Sequence, residues 1–231
     1  MPSYFNLSSR LLSTAFWEAV LGNSDENEEE KKELLKKLKE LEQLRIGADY
    51  NTGSISAASA WCLYSLVRYF GVTRAIEIGT FIGKSTVSIA AAMDRTSANS
   101  EVYTCDASNS LSIPRCTNTK VIQYQKKTST EMLSNLDGVF DFLFLDGRIQ
   151  NGDIEYLEKL LDNQCLVALD DFEGTEKGVS NLFALRQSKV FQSHFLIYPC
   201  QSSTLKELGF SSHSLLAVIL PVQLIKLVAQ G

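Results

Sequence analysis

Basic residues are the minority in this chain: 22 Lys and Arg stand against 27 Asp and Glu, a net charge of −5, and no basic cluster lacks interleaved acids. That balance argues against nucleic acid as a partner. Histidine is scarce, with only His194 and His213. The five cysteines (Cys62, Cys105, Cys116, Cys165, Cys200) are odd in number and lack paired metal-ligand spacing. Three of them fall inside apolar segments and read as reduced thiols, which points to the cytoplasm. No apolar run reaches membrane-spanning length: Ser214 to Ala229 is broken by Pro221, Gln223 and Lys226 and is shorter than the roughly 20 residues a spanning helix needs. Met1 to Arg10 has no basic start followed by an apolar block, so no signal peptide is expected. Internal repeats are lacking as well.

What is present is enough apolar residue for one core. At 231 residues and 45% hydrophobic content, the chain suits one α/β domain and is too short for two. Leu11 to Val20 reads as a short amphipathic helix. Glu28 to Arg45 reads as a charged one with Leu34, Leu35, Leu38, Leu41 and Leu44 on one face. Its acids come early and its bases late, as a solvated face aligned with the helix dipole would have them. Residues 46–54 read as a loop leading into a helix over 55–70. From Arg74 onward strands and helices alternate, with strands predicted at 75–79, 101–106, 120–124, 140–145, 165–169, 194–198 and 214–220. That pattern predicts a Rossmann-like, doubly wound, mostly parallel sheet of seven strands. The last strand is predicted antiparallel, because residues 199–213 leave no room for a crossover helix. The division expected is a helical extension or lid over 1–53 and a main domain over 54–231.

The most informative stretch runs from Arg74 to Ala90. The apolar Ala75-Ile76-Glu77-Ile78 breaks into Gly79-Thr80-Phe81-Ile82-Gly83-Lys84-Ser85 and then into a helical pattern. A strand, a glycine loop and a helix N-terminus in a parallel sheet make a cofactor site. A phosphate-binding Walker loop needs four residues before Gly-Lys-Ser, and only three stand here. A dinucleotide fingerprint needs glycine where Phe81 stands. The remaining pattern, Glu77-x-Gly79-x-x-x-Gly83, resembles the first motif of S-adenosylmethionine-dependent methyltransferases. Glu101 to Asp106 reads as a second strand ending in an acid, 27 residues after Gly79. A carboxylate there can accept from both hydroxyls of a ribose, in an adenosine or in NAD, or it can cap the next turn.

Two further strands end in acids, Leu145-Asp146-Gly147 and Leu169-Asp170-Asp171. Strands lie about 4.8 Å apart, so these carboxylates can converge, and a hard divalent cation such as Mg²⁺ would relieve their repulsion. Aspartates ending strands are also common turn formers. Taken in order, Glu77-x-Gly79, Asp106, Asp146 and Asp170-Asp171 resemble the divalent-metal-dependent O-methyltransferases. That group includes the catechol and caffeoyl-CoA types and the sugar O-methyltransferases of antibiotic pathways. The resemblance covers about residues 55–220, and the second acid of the pair leans towards the sugar type. It implies Asp146, Asp170 and Asp171 as metal ligands, Ser85 on the methionine carboxylate and Asp106 on the ribose. The candidate cofactor-binding set is Glu77, Gly79, Thr80, Phe81, Gly83, Ser85, Asp106 and Ala107.

The chain departs from that family at Ile149, where a lysine general base is usual, and Arg148 cannot replace it because guanidinium stays protonated. The catalytic candidates are therefore Asp146 and His213. An antiparallel last strand would start at the cofactor edge and bring His213 there, whereas His194 falls on the opposite edge, as does Asp141. The expected acceptor is a hydroxyl of a small molecule, with loop 201–212 contributing to its choice. The leucine-rich N-terminal helices make a homodimer an expectation. A metal-independent methyltransferase, a cofactor-binding scaffold that lost its base, and a nucleotide-binding protein using Lys84 are the alternatives.

Overall fold

The computed structural model describes residues 10–21, 25–115, 117–172, 177–191, 194–197 and 216–225. Its elements, in chain order, begin with helices α1 (Thr14–Leu21) and α2 (Asp25–Leu41), a 3₁₀ turn (Glu42–Gly47) and α3 (Ala57–Phe70). Then come β1 (Arg74–Ile78), α4 (Lys84–Met93), β2 (Glu101–Asp106), β3 (Lys120–Gln125) and α5 (Ser129–Leu133). The second half holds β4 (Phe140–Leu145), α6 (Asp153–Leu160), β5 (Leu161–Leu169), α7 (Gly178–Leu185), β6 (His194–Ile197) and β7 (Ala217–Pro221).

The strands form one seven-stranded sheet in the order β3-β2-β1-β4-β5-β7-β6. The first five are parallel, and β7 runs antiparallel to both β5 and β6. The predicted doubly wound sheet with its antiparallel last strand is thus present. β5 is longer than predicted, starting at Leu161 directly after α6. The chain order reverses on either side of β1, which opens a crevice at the C-terminal strand ends, where ligands bind in such sheets.

Side chains alternate between two cores, as the period of two requires. Ala75, Phe142, Phe144, Leu166, Ala168, Val218 and Leu220 face one side with α1 to α4; Ile76, Ile78, Leu143, Leu145, Val167, Leu169 and Ile219 face the other with α5 to α7. The N-terminal helices join the first core: Trp17, Leu34, Leu38 and Leu41 lie in one cluster with Trp61 and Leu66. The leucine face of α2 is therefore largely covered within the chain. Ser56 starts α3 by accepting from Ser59 N at 3.0 Å, and left-handed Gly71 ends it.

Asp141 serves the fold at the edge away from the crevice, accepting from Thr73 N and Arg74 N at 2.9 Å. His194, at the start of β6, is buried; burial holds its imidazole below its ordinary value. Cys62, Cys105 and Cys165 are free and buried. No helix among the described residues is long and apolar enough to cross a membrane.

Phe144 is fully buried on β4, beside Glu77 in register. Phe144→Ala should cost about 3–5 kcal/mol of unfolding free energy, read from the shift in urea midpoint; a loss below about 1 kcal/mol would contradict the packing described.

Candidate cofactor and acceptor site

The parallel ladder continues past the strand ends and draws four loops together. Gly79 N and Thr80 N donate to Cys105 O at 3.0 and 3.2 Å, Asp146 N and Gly147 N to Ile78 O at 2.9 and 2.6 Å, and Asp170 N to Leu145 O at 2.9 Å. The loops after β1 and β4 approach so closely that a Cβ on Gly79 would stand 2.5 Å from Gly147 N, and Gly79 also has a φ of +105°. Only glycine fits there. Phe81 adopts φ +45° without that licence, a conformation that tends to gather at functional sites.

These loops bound a cavity of about 440 Å³ lined by Gly79, Phe81, Asp106, Ala107 and Asp146, with Tyr50 and Gly53 from the loop before α3. That volume falls within the range of small-molecule sites. A smaller recess holds Thr80, Gly83 and Ser85 with Ser54 and Asp146. A third hollow of about 130 Å³ joins Asp146 to Asp170, Asp171 and Lys177. Asp146 is common to all three. A larger hollow of about 590 Å³ lies beside α2, lined by Glu30, Lys37, Arg95 and Arg115. It is away from the crevice that the strand order creates, so the smaller cavity is the better cofactor candidate.

Asp106 accepts four hydrogen bonds. Ser108 N and Asn109 N reach Oδ1 at 2.9 and 3.0 Å; Phe81 N and the Tyr50 hydroxyl reach Oδ2, both at 2.9 Å. A carboxylate has about four acceptor sites, so a ribose hydroxyl must displace one partner, and the Tyr50 hydroxyl is the one held by a side chain. Tyr50 also packs on Phe81 at 5.1 Å between ring centroids, and Arg45 lies over the same ring at 4.9 Å. Neither Tyr50 nor Arg45 was legible as a site residue; the only sign was an aromatic in a polar loop.

Glu77 lies beneath the glycine loop, fully buried. Thr86 Oγ1 donates to its Oε2 at 2.5 Å, while Oε1 has no hydrogen-bond partner. Burial pushes its carboxyl up to about 7, against the opposing effect of the Ser85, Thr104 and Thr86 hydroxyls. Lys84 pairs with Glu42 of the 3₁₀ turn.

The three aspartates converge in part. The Lys177 ammonium lies between two of them, 3.0 Å from Asp146 Oδ1 and in contact with Asp171 Oδ2. Asp171 has φ +52° and Asp170 is buried. Burial raises the Asp146 carboxyl above its ordinary value, with Lys177 opposing. Among the described residues no three acids, histidines or cysteines gather as ligands for an ion. As arranged, the donor set does not fit the expected divalent cation. Ile149 packs against the second core and donates its backbone N–H to Asn181 Oδ1 at 3.1 Å. His213 and loop 201–212 lie outside the described residues.

A family model described as a methyltransferase domain matches residues 76–172, from β1 to just past β5. The chain has no match among curated proteins. Its fold is that of solved O-methyltransferases. An O-methyltransferase from Bacillus cereus, in complex with SAH, aligns with a TM-score of 0.56 at 18% identity over 80% of this chain and 90% of that one. TomG from Streptomyces achromogenes, an O-methyltransferase involved in tomaymycin synthesis and solved with SAM, aligns with 0.58 at 18% identity over 96% of this chain and 99% of that one. A putative O-methyltransferase from Klebsiella pneumoniae gives 0.57 at 16% identity, covering 82% and 89%.

The Glu77 carboxyl sets a pH dependence. The unfolded chain releases this proton near 4.5 and the folded chain near 7, so stability falls as pH rises through that window, by up to about 3 kcal/mol. Glu77→Gln has no proton to lose. Its urea midpoint should gain on wild type between pH 4.5 and pH 7 and hold that gain above; parallel profiles would mean that the buried carboxyl is charged throughout.

Proposed function

We propose that this chain is an S-adenosylmethionine-dependent O-methyltransferase acting on a hydroxyl of a small molecule. The observation that carries the reading is the single cavity bounded by Gly79, Phe81, Asp106 and Asp146 at the crevice of the sheet. Asp106 would hold the ribose, Ala107 and Phe81 would flank the adenine side, and the recess at Ser85 would receive the methionine carboxylate at the start of α4. The matched domain model and the shared fold support the same class.

In the reaction proposed, the acceptor oxygen forms a bond to the methyl carbon as the carbon–sulfur bond breaks. The electron pair stays on sulfur and leaves a neutral thioether. The acceptor's proton passes to the Asp146 carboxylate, whose raised affinity for a proton suits a base; His213 is the other proposed acceptor of that proton. Rate comes mainly from holding oxygen and methyl at about 3–3.5 Å in line. Closure by loop 48–54, already seated over the cavity through Tyr50 and Gly53, would exclude water. The proposed reading uses no divalent ion, which the acids could take only if Lys177 left them.

Calorimetric titration of S-adenosylhomocysteine should show one site, with Asp106→Ala weakening it about 10- to 100-fold. Tyr50→Phe, which removes only the competing hydroxyl, should bind at least as tightly as wild type. A wild type that binds no S-adenosylhomocysteine would sink the assignment.

A further inference from the structure

We propose that Lys177 is the resident cation of the aspartate cluster, standing where a divalent ion would otherwise sit and holding the acceptor oxygen with its ammonium. The inference rests on the function proposed above for its acceptor and on geometry alone for the cation.

The position of Lys177 is built, because two contacts fix the start of α7. Gly178 lies so close to the strand-end acids that a Cβ there would stand 2.6 Å from Asp170 O and 3.0 Å from Asp171 O. Asn181, one turn on and buried, donates through its side-chain amide to Gly147 O at 2.8 Å and accepts from Ile149 N at 3.1 Å. The first contact clamps α7 to the loop after β5, the second to the loop after β4. Lys177, the residue just before α7, is thereby held between the acids those two loops carry, and its Nζ meets Asp146 and Asp171.

Removing an ion from such a cluster would leave carboxylates repelling one another in a half-buried site. An internal ammonium answers that repulsion without an exchangeable ligand. It has three donors, one more than the two contacts it makes with Asp146 and Asp171 require. Lys177 lines both the cofactor cavity and the hollow beside it, so the remaining donor can meet an acceptor oxygen next to the transferred methyl.

Manganese serves as the probe, with binding read from loss of the free Mn²⁺ electron paramagnetic resonance signal. Wild type should leave that signal intact at millimolar ion. Lys177→Met, which keeps the stem and removes the charge, should gain a site that Asp171→Asn in the same background abolishes. Stoichiometric Mn²⁺ binding by wild type, lost in Asp171→Asn, would overturn the proposal and needs no Lys177 variant to read. Binding by neither protein would overturn it too, since the acids would then be no cation site. Titration of S-adenosylhomocysteine into wild type in Mg²⁺ and in EDTA should give equal affinity. Failure of that ligand to bind at all would remove the proposed function while leaving the manganese result to stand by itself.

Discussion

Everything at this site depends on the near-contact between the loops after β1 and β4. The ladder does not stop at the strand ends: Ile78 O takes two backbone donors from Asp146 and Gly147, and Gly79 lies against Gly147 with no room for a side chain. Backbone bonds of this kind are worth only about 1 kcal/mol each in net terms, but leaving them unmade under a buried loop costs more. They therefore fix position more than they add stability. The result is that a glycine loop and an acidic loop, 67 residues apart in the chain, share one wall of one cavity.

Electrostatics then follows from burial. Glu77 sits under the loop with one oxygen unpartnered, and burial favours its protonated form. Asp146 is raised by burial and opposed by Lys177. Asp106 is supplied with four donors, two from its own loop, one from the glycine loop at Phe81 and one from Tyr50. Three carboxyls on neighbouring strands thus have three different surroundings, and in the proposed function these would separate a structural acid, a binding acid and a reacting one.

The sheet was legible because its signals are local. Each strand is a short apolar run, the glycine loop is contiguous, and the lack of space between the last two strands dictated an antiparallel return. The acids were legible as strand ends for the same reason. What was not legible comes from elements that meet only in three dimensions. Nothing in the sequence near Lys177 marks it; Gly178 and Asn181, two ordinary residues of a short helix, decide where it points. Tyr50 lies 56 residues before the carboxylate it bonds. Lys177 reaches the acid at the end of β4 from another loop altogether, which spacing along one strand end cannot reveal. Three acids in order look the same on paper whether an ion or an ammonium lies among them, and the sequence could not show that the Lys177 ammonium contacts two of the three.

The Tyr50–Asp106 bond makes the loop over the cavity and its ligand rivals for one carboxylate. A ribose that reaches Asp106 exchanges a hydrogen bond rather than adding one, so the net gain is a difference between two satisfied states. The loop released by that exchange is also the one carrying Gly53 and Thr52 to the mouth of the acidic hollow. In the proposed function, occupancy of the nucleoside end would thus be communicated mechanically to the acceptor end, and a single phenol would set an order of arrival for the two reactants.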